Sequence, residues 1–353
     1  MVSYESVLEV VESTLRARSP QSRDIRWLTD AHVIGVARDS EGSVEVFLSG
    51  SELVPRARSI REVMDFRRWH RENAPGLDAN RIVFPALGHY DPVAAFICAE
   101  LIRCGADKSL ERAFAETEPI IELAIERLRL SGEVIIGLAG ELLLLNAVLG
   151  QAQDAQVEKV LDSWHGWRTS SRDFLWEATG VEVKATMRTT SSHLVEGVHQ
   201  VERHDGSDGG VPEERLFLVS VGLQTSETDG NSFTIPQLVD RVIARLHESG
   251  LSGKVDKFLR RLSEYGAGSG RGYDHNTDRD EPGYASPFVT TFFRAYNMDD
   301  SAIEVLRRDD VAIHHHVDPS SVSFRVDLPV AVSFGNPING ANQVARSILT
   351  GAD

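Results

Sequence analysis

Only two cysteines occur in the chain, Cys98 and Cys104, six positions apart in an apolar segment. That suits neither a disulfide framework nor a zinc cluster, and a reducing cytoplasm is the compartment expected. Positive charge is scarce as well: 37 Lys and Arg face 53 Asp and Glu, a formal net charge of -16. Such a surface on average repels nucleic acid and anionic membranes, which disfavours a passive DNA-coating protein. Any polyanion must be received at a local basic patch or through metal ions. Long hydrophobic runs are missing too. The strongest, Val134 to Leu149, is interrupted by Glu141 and falls short of the roughly 20 residues that a spanning helix needs, so no membrane segment is expected. The amino terminus carries Glu5, Glu9 and Glu12 among its apolar residues, unlike a secretory signal with its basic start.

Two other absences narrow the chemistry. The glycines from Gly266 to Gly270 lack the Gly-Lys-Ser/Thr ending of a phosphate loop, and a mobile surface loop is expected from Gly266 to Tyr284. The triplet His314-His315-His316 has no acidic or cysteine partner in register. On the strand expected over Val311 to Val317 only His314 and His316 would share a face, which favours a surface or interface role over a metal site.

What is present is a chain of 353 residues, long enough for two domains or for one with an elaborate extension. An amphipathic helix is expected over residues 4 to 17, and His32 to Ser49 alternates as a hairpin around Asp39-Ser40-Glu41-Gly42. Arg56, Arg58, Arg61, Arg67, Arg68 and Arg71 then form the one distinctly basic stretch. They read either as a nucleic-acid contact or as a solvated face paired with Glu52, Glu62 and Asp65. A short strand over 82 to 87 precedes a helix opened by Asp91-Pro92, and a second helix spans Leu110 to Leu130. Ser131-Gly132 reads as a joint, giving an N-terminal α+β domain over 1–130, a core over 131–250 and a β-rich extension over 251–353. Within the extension, Phe288 to Tyr296, Val311 to Val317 and Val322 to Leu328 read as strands of a sheet of their own, with a polar helix around Ala302 to Arg308. The fold class expected is α/β, an α+β arrangement around a mixed sheet.

The chemistry concentrates between Asp173 and Lys184. Asp173 begins a first strand, a turn follows near Ala178-Thr179-Gly180, and Val181-Glu182-Val183-Lys184 alternates with the period of a half-buried strand. The alternation puts Glu182 and Lys184 on one face. If the arms pair around Glu177-Ala178, Asp173 falls opposite Glu182, their Cβ atoms roughly 5 Å apart. Glu141 lies in the middle of an apolar helix, sharing a face with Leu138 and Leu145. A buried carboxylate needs a cation, a metal or a raised pKa, and a salt bridge would serve as well. Trp164, Trp167 and Trp176 read as packing residues. Thr189 to Ser192 offers N-caps for a helix bearing His193, Gly197, His199 and Gln200.

Glu141 on a helix, Asp173 on one strand and Glu182-Val183-Lys184 on the next resemble the PD-(D/E)XK nuclease superfamily over roughly residues 131 to 250. Gly137-Leu-Ala-Gly-Glu-Leu142, Arg172-Asp173-Phe174 and Val181-Glu-Val-Lys184 are similar to a little-characterised branch of it, whose genes are often found among bacterial restriction-modification and phage-defence clusters. The position before Asp173 holds Arg172, where the superfamily's name has a proline. The resemblance implies a restriction-endonuclease-like core and hydrolysis of DNA phosphodiesters with Mg²⁺ or Mn²⁺. Asp173, Glu182 and the Val183 carbonyl would be metal ligands, and Glu141 would support the metal directly or through water. Lys184 would orient water or stabilise developing charge, its neighbouring carboxylates keeping it protonated. Arg168, Arg172, Arg188, His199 and Gln200 are the expected substrate contacts. Protein partners from the same defence system and a homodimer would accompany such a function. The alternatives are a non-catalytic scaffold or DNA-binding subunit, and a nuclease acting on RNA or structured DNA.

Overall fold

The computed structural model describes residues 3–71, 75–84, 90–168, 170, 172–206, 212–226, 230–266, 272–318 and 321–351, with the side chains of 126–131 left aside. The chain divides into two compact units, Met1–Gly132 and Glu133–Asp353.

In the first unit, Ser3 caps helix α1 (Tyr4–Glu12), which buries Val7 and Val11 and packs on α3 (Asp91–Arg103). The strands β1 (Arg26–Trp27), β2 (Ile34–Arg38), β3 (Val44–Ser49), β4 (Met64–Trp69) and β5 (Leu77–Phe84) form one antiparallel sheet in the order β1-β2-β3-β5-β4. The expected β2–β3 hairpin is present. Asp39 Oδ1 accepts from the amides of Glu41 and Ser43, while Gly42 takes a φ of 98°. Helix α2 (Arg58–Val63) leads directly into β4 at the sheet's edge. The strand expected over 82–87 is the end of β5, and 85–87 lie outside the described residues.

Helix α4 (Leu110–Gln151) does not stop at Ser131-Gly132. A helical glycine costs roughly 1 kcal/mol, too little to break a helix whose apolar pattern resumes at once. Its last 20 residues, Gly132–Gln151, are long and apolar enough to cross a membrane by length and composition, contrary to the expectation from the shorter run. Here Leu138, Leu142 and Leu145 are buried as protein core.

The second unit is built on a mixed five-stranded sheet in the order β12 (Ile338–Asn339), β10 (Phe288–Asn297), β9 (Arg215–Thr225), β7 (Thr179–Thr186), β6 (Phe174–Trp176). After α5 (Asp154–Ser163), β6 (Phe174–Trp176) and β7 (Thr179–Thr186) form an antiparallel hairpin, and β7 then pairs parallel to β9 (Arg215–Thr225). Between them, residues 191–200 are not the helix expected. They make β8 (Ser191–Glu196) and a single 3₁₀ turn, Val198–Gln200. Strand β8 pairs with β11 (Ser323–Leu328), a partner more than a hundred residues away that satisfies its backbone.

Helices α6 (Ile235–Glu248) and α7 (Val255–Glu264) follow β9, and α8 (Pro282–Ala285) leads to β10 (Phe288–Asn297). The strands beyond 288 do not form a sheet of their own. β10 pairs with β9 from Phe217 to Thr225, covering most of the edge that β7 leaves, and β12 (Ile338–Asn339) adds to β10 before the closing α10 (Ala341–Thr350). The polar helix expected at 302–308 lies instead at α9 (Arg308–Ala312), where the Asp310 side chain accepts from the Arg307 amide. That helix replaces the strand expected at 311–317, so His314, His315 and His316 sit exposed beyond it.

The loop expected over 266–284 is only partly a surface feature. Residues 267–271 lie outside the described residues, but Tyr273 and His275 are buried. The Tyr273 hydroxyl meets His275 Nδ1 at 2.8 Å, and His275 Nε2 meets Asp240 Oδ1 on α6 at 3.0 Å. Arg279 also binds Asp240, fixing this segment to the helix.

Candidate active site

The β6–β7 hairpin turns at Glu177-Ala178, with Glu177 at a φ of 55°. Phe174 pairs with Val181 and Trp176 with Thr179, which is the register expected, so Asp173 follows opposite Glu182. Asp173 Oδ2 accepts from the Val183 amide at 2.7 Å, which ties the carboxylate to the second arm. On β7, Lys184 Nζ lies 3.2 Å from Glu182 Oε1 and donates to Gln200 Oε1 at 2.9 Å. Gln200 Oε1 also accepts from the Glu196 amide at 2.9 Å, so its side chain is fixed from two sides.

Glu141 reaches the same place from α4. The helix can approach β7 because Gly140 carries no side chain: a Cβ there would lie 2.9 Å from that of Ala185. Two neutral donors hold the Glu141 carboxylate. Trp164 Nε1 donates to Oε2 and the Tyr265 hydroxyl to Oε1, each at 2.7 Å. Trp164 is therefore more than packing. Its segment is drawn in by the amides of His165 and Gly166, which donate to the Asp173 carbonyl at 2.7 and 3.1 Å.

Gly166 presses against Glu141 so closely that a Cβ would fall 1.8 Å from Oε2. Gly166→Ala is expected to cost about 1 to 3 kcal/mol of stability through overpacking, read as a lower urea midpoint at unchanged slope. An alanine variant as stable as the parent would show that this segment does not close over Glu141.

Three carboxylates and one ammonium share this partly dry volume, and their titration reflects it. Burial raises the pKa of Glu141 to about 7, and the Glu182 charge adds to the rise against the hydrogen bonds from Trp164 and Tyr265. Burial pushes Asp173 well above the ordinary carboxylate range, with repulsion from Glu141 and Glu182 in the same direction. Glu182 is raised by burial too, opposed by Lys184 and Arg172. The cluster is short of positive charge. Oxygen donors with that deficit suit a hard divalent cation such as Mg²⁺ or Mn²⁺. Asp173 and Glu182 fit as ligands, with the Val183 carbonyl between them and Lys184 along the chain. Among the described residues no three carboxylate, imidazole or thiol groups converge to hold one ion, so Glu141 does not complete a three-carboxylate cage in this arrangement.

The expected substrate contacts separate. Arg168 is exposed, with its guanidinium 5.5 Å above the Trp167 ring, and Arg188 and His199 are exposed as well. Gln200 faces Lys184. Arg172 is a correction: it is buried, its Nη1 donates to the His199 carbonyl at 2.6 Å, and its Nη2 to the Glu202 carbonyl at 2.6 Å and to Glu213 at 2.8 Å. These acceptors need a cation inside the fold, so Arg172 braces the site and does not face DNA. Sequence reasoning also missed Tyr265, for which no local signal exists. It missed the buried pair of His193 Nε2 and Ser220 Oγ as well, 2.7 Å apart, with Ser220 in register with Lys184. Burial lowers the His193 pKa to about 4, with Lys184 adding to the drop, so the imidazole is neutral near pH 7.

A carboxylate-bearing helix packed on a mixed sheet whose hairpin carries Asp, Glu and Lys defines a nuclease-like core of the PD-(D/E)XK type. Residues 120–283 match the family described as "Putative PD-(D/E)XK family member, (DUF4420)". Glu141, Asp173, Glu182, Lys184, Gln200 and Tyr265 all fall within that segment. No curated protein and no solved structure matches the chain.

Proposed function

We propose that this protein is a divalent-metal-dependent DNA endonuclease. The observation that carries the reading is the convergence of Asp173, Glu182, Lys184 and Glu141 at the β6–β7 hairpin, with burial raising all three carboxylates and repulsion from the others adding to the rise of Glu141 and Asp173. Asp173 and Glu182 would hold the ion. A divalent ion bound there would neutralise charge on the scissile phosphate and lower the pKa of the attacking water. Lys184 donates to Gln200, and its ammonium would stabilise the negative charge that develops at phosphorus or position the water. Glu141, fixed by Trp164 and Tyr265, supports the site from the helix side.

Resemblance to a branch found among restriction and phage-defence genes supports a bacterial defence role in the cytoplasm. Partner proteins of that system, or a second copy supplying the other active site for double-strand cutting, belong to the same proposal. The direct assay incubates the purified chain with plasmid DNA, structured DNA and RNA in Mg²⁺, Mn²⁺ or EDTA. Metal-dependent cutting of DNA is expected. Cutting in EDTA would contradict the reading, and cutting of RNA alone would move it to another polymer.

Ion binding has its own expected signature. At pH 8, Mn²⁺ at a hundred times its Kd should stabilise the fold by about 2.7 kcal/mol by mass action, and Asp173→Asn should abolish the effect. Equal stabilisation of both chains would place the ion elsewhere.

One observation favours a second reading, a non-catalytic scaffold or DNA-binding subunit: both Glu141 oxygens already accept protein donors. On that reading Glu182→Ala would leave the biological activity intact.

A further inference from the structure

We propose that α2 and the edge strand β4 of the first unit form a separate binding surface for the phosphate backbone of duplex DNA. Among the described residues, strand β4 is hydrogen-bonded only to β5 and ends the sheet. Between Arg56 and Arg71 the chain holds six arginines against two acids, Glu62 and Asp65, in a protein whose net charge is -16. All six arginines are exposed. Arg67 and Arg68, successive on β4, point to opposite sides of the strand, so the charge lines the sheet edge itself, and such a local basic stretch is what an acidic chain needs if it is to receive a polyanion.

Two of the three ion pairs in this stretch do not consume its charge. Arg58 and Glu62 are paired with side chains 86% and 39% exposed, and Arg68 stands 3.7 Å from Asp78 with both largely in solvent. Exposed pairs of this kind contribute little and are screened by salt, so phosphate can displace them. Arg67 is held more firmly. It pairs with Asp65, which Arg81 also binds, while its guanidinium lies 5.0 Å over the Trp69 ring, and Trp69 packs edge-on against Phe47. An arginine stacked on a fixed aromatic loses less freedom when its remaining N–H groups meet an anion.

A charged edge strand has a simpler use, which is to block edge-to-edge aggregation, and lysine is the usual guard. Here the first lysine of the entire chain is Lys108, so every cation on this edge is an arginine. Guarding an edge does not require arginine, whereas bidentate recognition of phosphate does. That choice favours nucleic acid over simple protection.

The surface stands outside the acidic hairpin and relies on the nuclease reading only for the choice of DNA as ligand. The test uses the full chain carrying Lys184→Ala, in EDTA, with a fluorescent duplex titrated at salt concentrations from about 50 to 200 mM. Arg61→Ala, Arg68→Ala and Arg71→Ala are then added together. Affinity should fall at least about tenfold at the upper salt concentration, and the slope of log K on log salt should flatten by about 2 to 3, close to 0.9 for each phosphate no longer neutralised. The matching triple lysine variant, which keeps charge and fold, should retain most of that slope. Unchanged affinity and slope in the alanine variant would overturn the proposal. So would unchanged DNA binding with a changed oligomeric state, which would assign the patch to an acidic protein surface. Cleavage is not read in this assay, so weakened binding supports the surface even if the parent chain cuts nothing. Unaltered binding by a parent that does cut removes the surface and leaves the nuclease reading standing.

Discussion

Lys184→Ala is expected to lower metal-dependent DNA cleavage by about two to three orders of magnitude while the protein stays folded. The ammonium lies within reach of Glu182 and Gln200, and its side chain is 18% exposed, so it faces the site without being part of the packed core. Removing a preorganised charge that acts on developing negative charge typically costs that much in kcat and leaves KM little changed. Arginine should not restore the rate, because its planar fork cannot occupy the position of a compact ammonium between two acceptors. Gln200→Ala should have a smaller effect in the same direction, since it frees Lys184 without removing it. A single-turnover rate within a few-fold of the parent for Lys184→Ala would remove this residue from the chemistry.

The second large effect concerns stability. Glu141 has a folded-state pKa of about 7 against 4.5 when free. Between those values the folded chain holds a proton that the unfolded chain has released, so stability falls as pH rises. Below about pH 4.5 both states are protonated and nothing is lost, and above about pH 7 the whole cost applies. The difference of roughly 2.5 pH units corresponds to on the order of 3 kcal/mol. Glu141→Gln removes this ionisation. In EDTA, the parent should therefore lose on the order of 3 kcal/mol relative to the variant as pH is raised from about 4.5 to above 7. The burial share of the Asp173 and Glu182 shifts is common to both chains and cancels, whereas the share of the Asp173 rise that comes from the Glu141 charge disappears in the variant and widens the difference in the same direction. Urea unfolding across that pH range is the measurement. Parallel profiles would mean that Glu141 is not buried beside the other carboxylates.

The hairpin was legible in the sequence because its information is local. Alternation over Val181 to Lys184 and turn residues just before it fix both the face and the register, and the structure has Asp173 opposite Glu182 accordingly. Glu141 was legible as a lone charge in an apolar helix. Its partners were not, since Trp164 and Tyr265 are brought to it by packing, the latter from 124 residues away. Strand β8 was misread for the same reason. Ser191 and Ser192 look like helix caps until β11 supplies the backbone partners that make them strand. Arg172 was misread because a cation near a nuclease-like site suggests DNA, whereas buried acceptors on residues 199, 202 and 213 claim it first. Local pattern reveals which residue types could act, and long-range pairing decides which of them face the substrate.

The central claim is that the hairpin holds a catalytic divalent ion. Diffraction from crystals soaked in Mn²⁺, recorded for its anomalous signal, tests it most directly. A peak bound by Asp173 and Glu182 near the Val183 carbonyl is expected, and it should vanish in Asp173→Asn. A chain that cuts DNA with Mn²⁺ yet shows its peak only elsewhere would contradict the account.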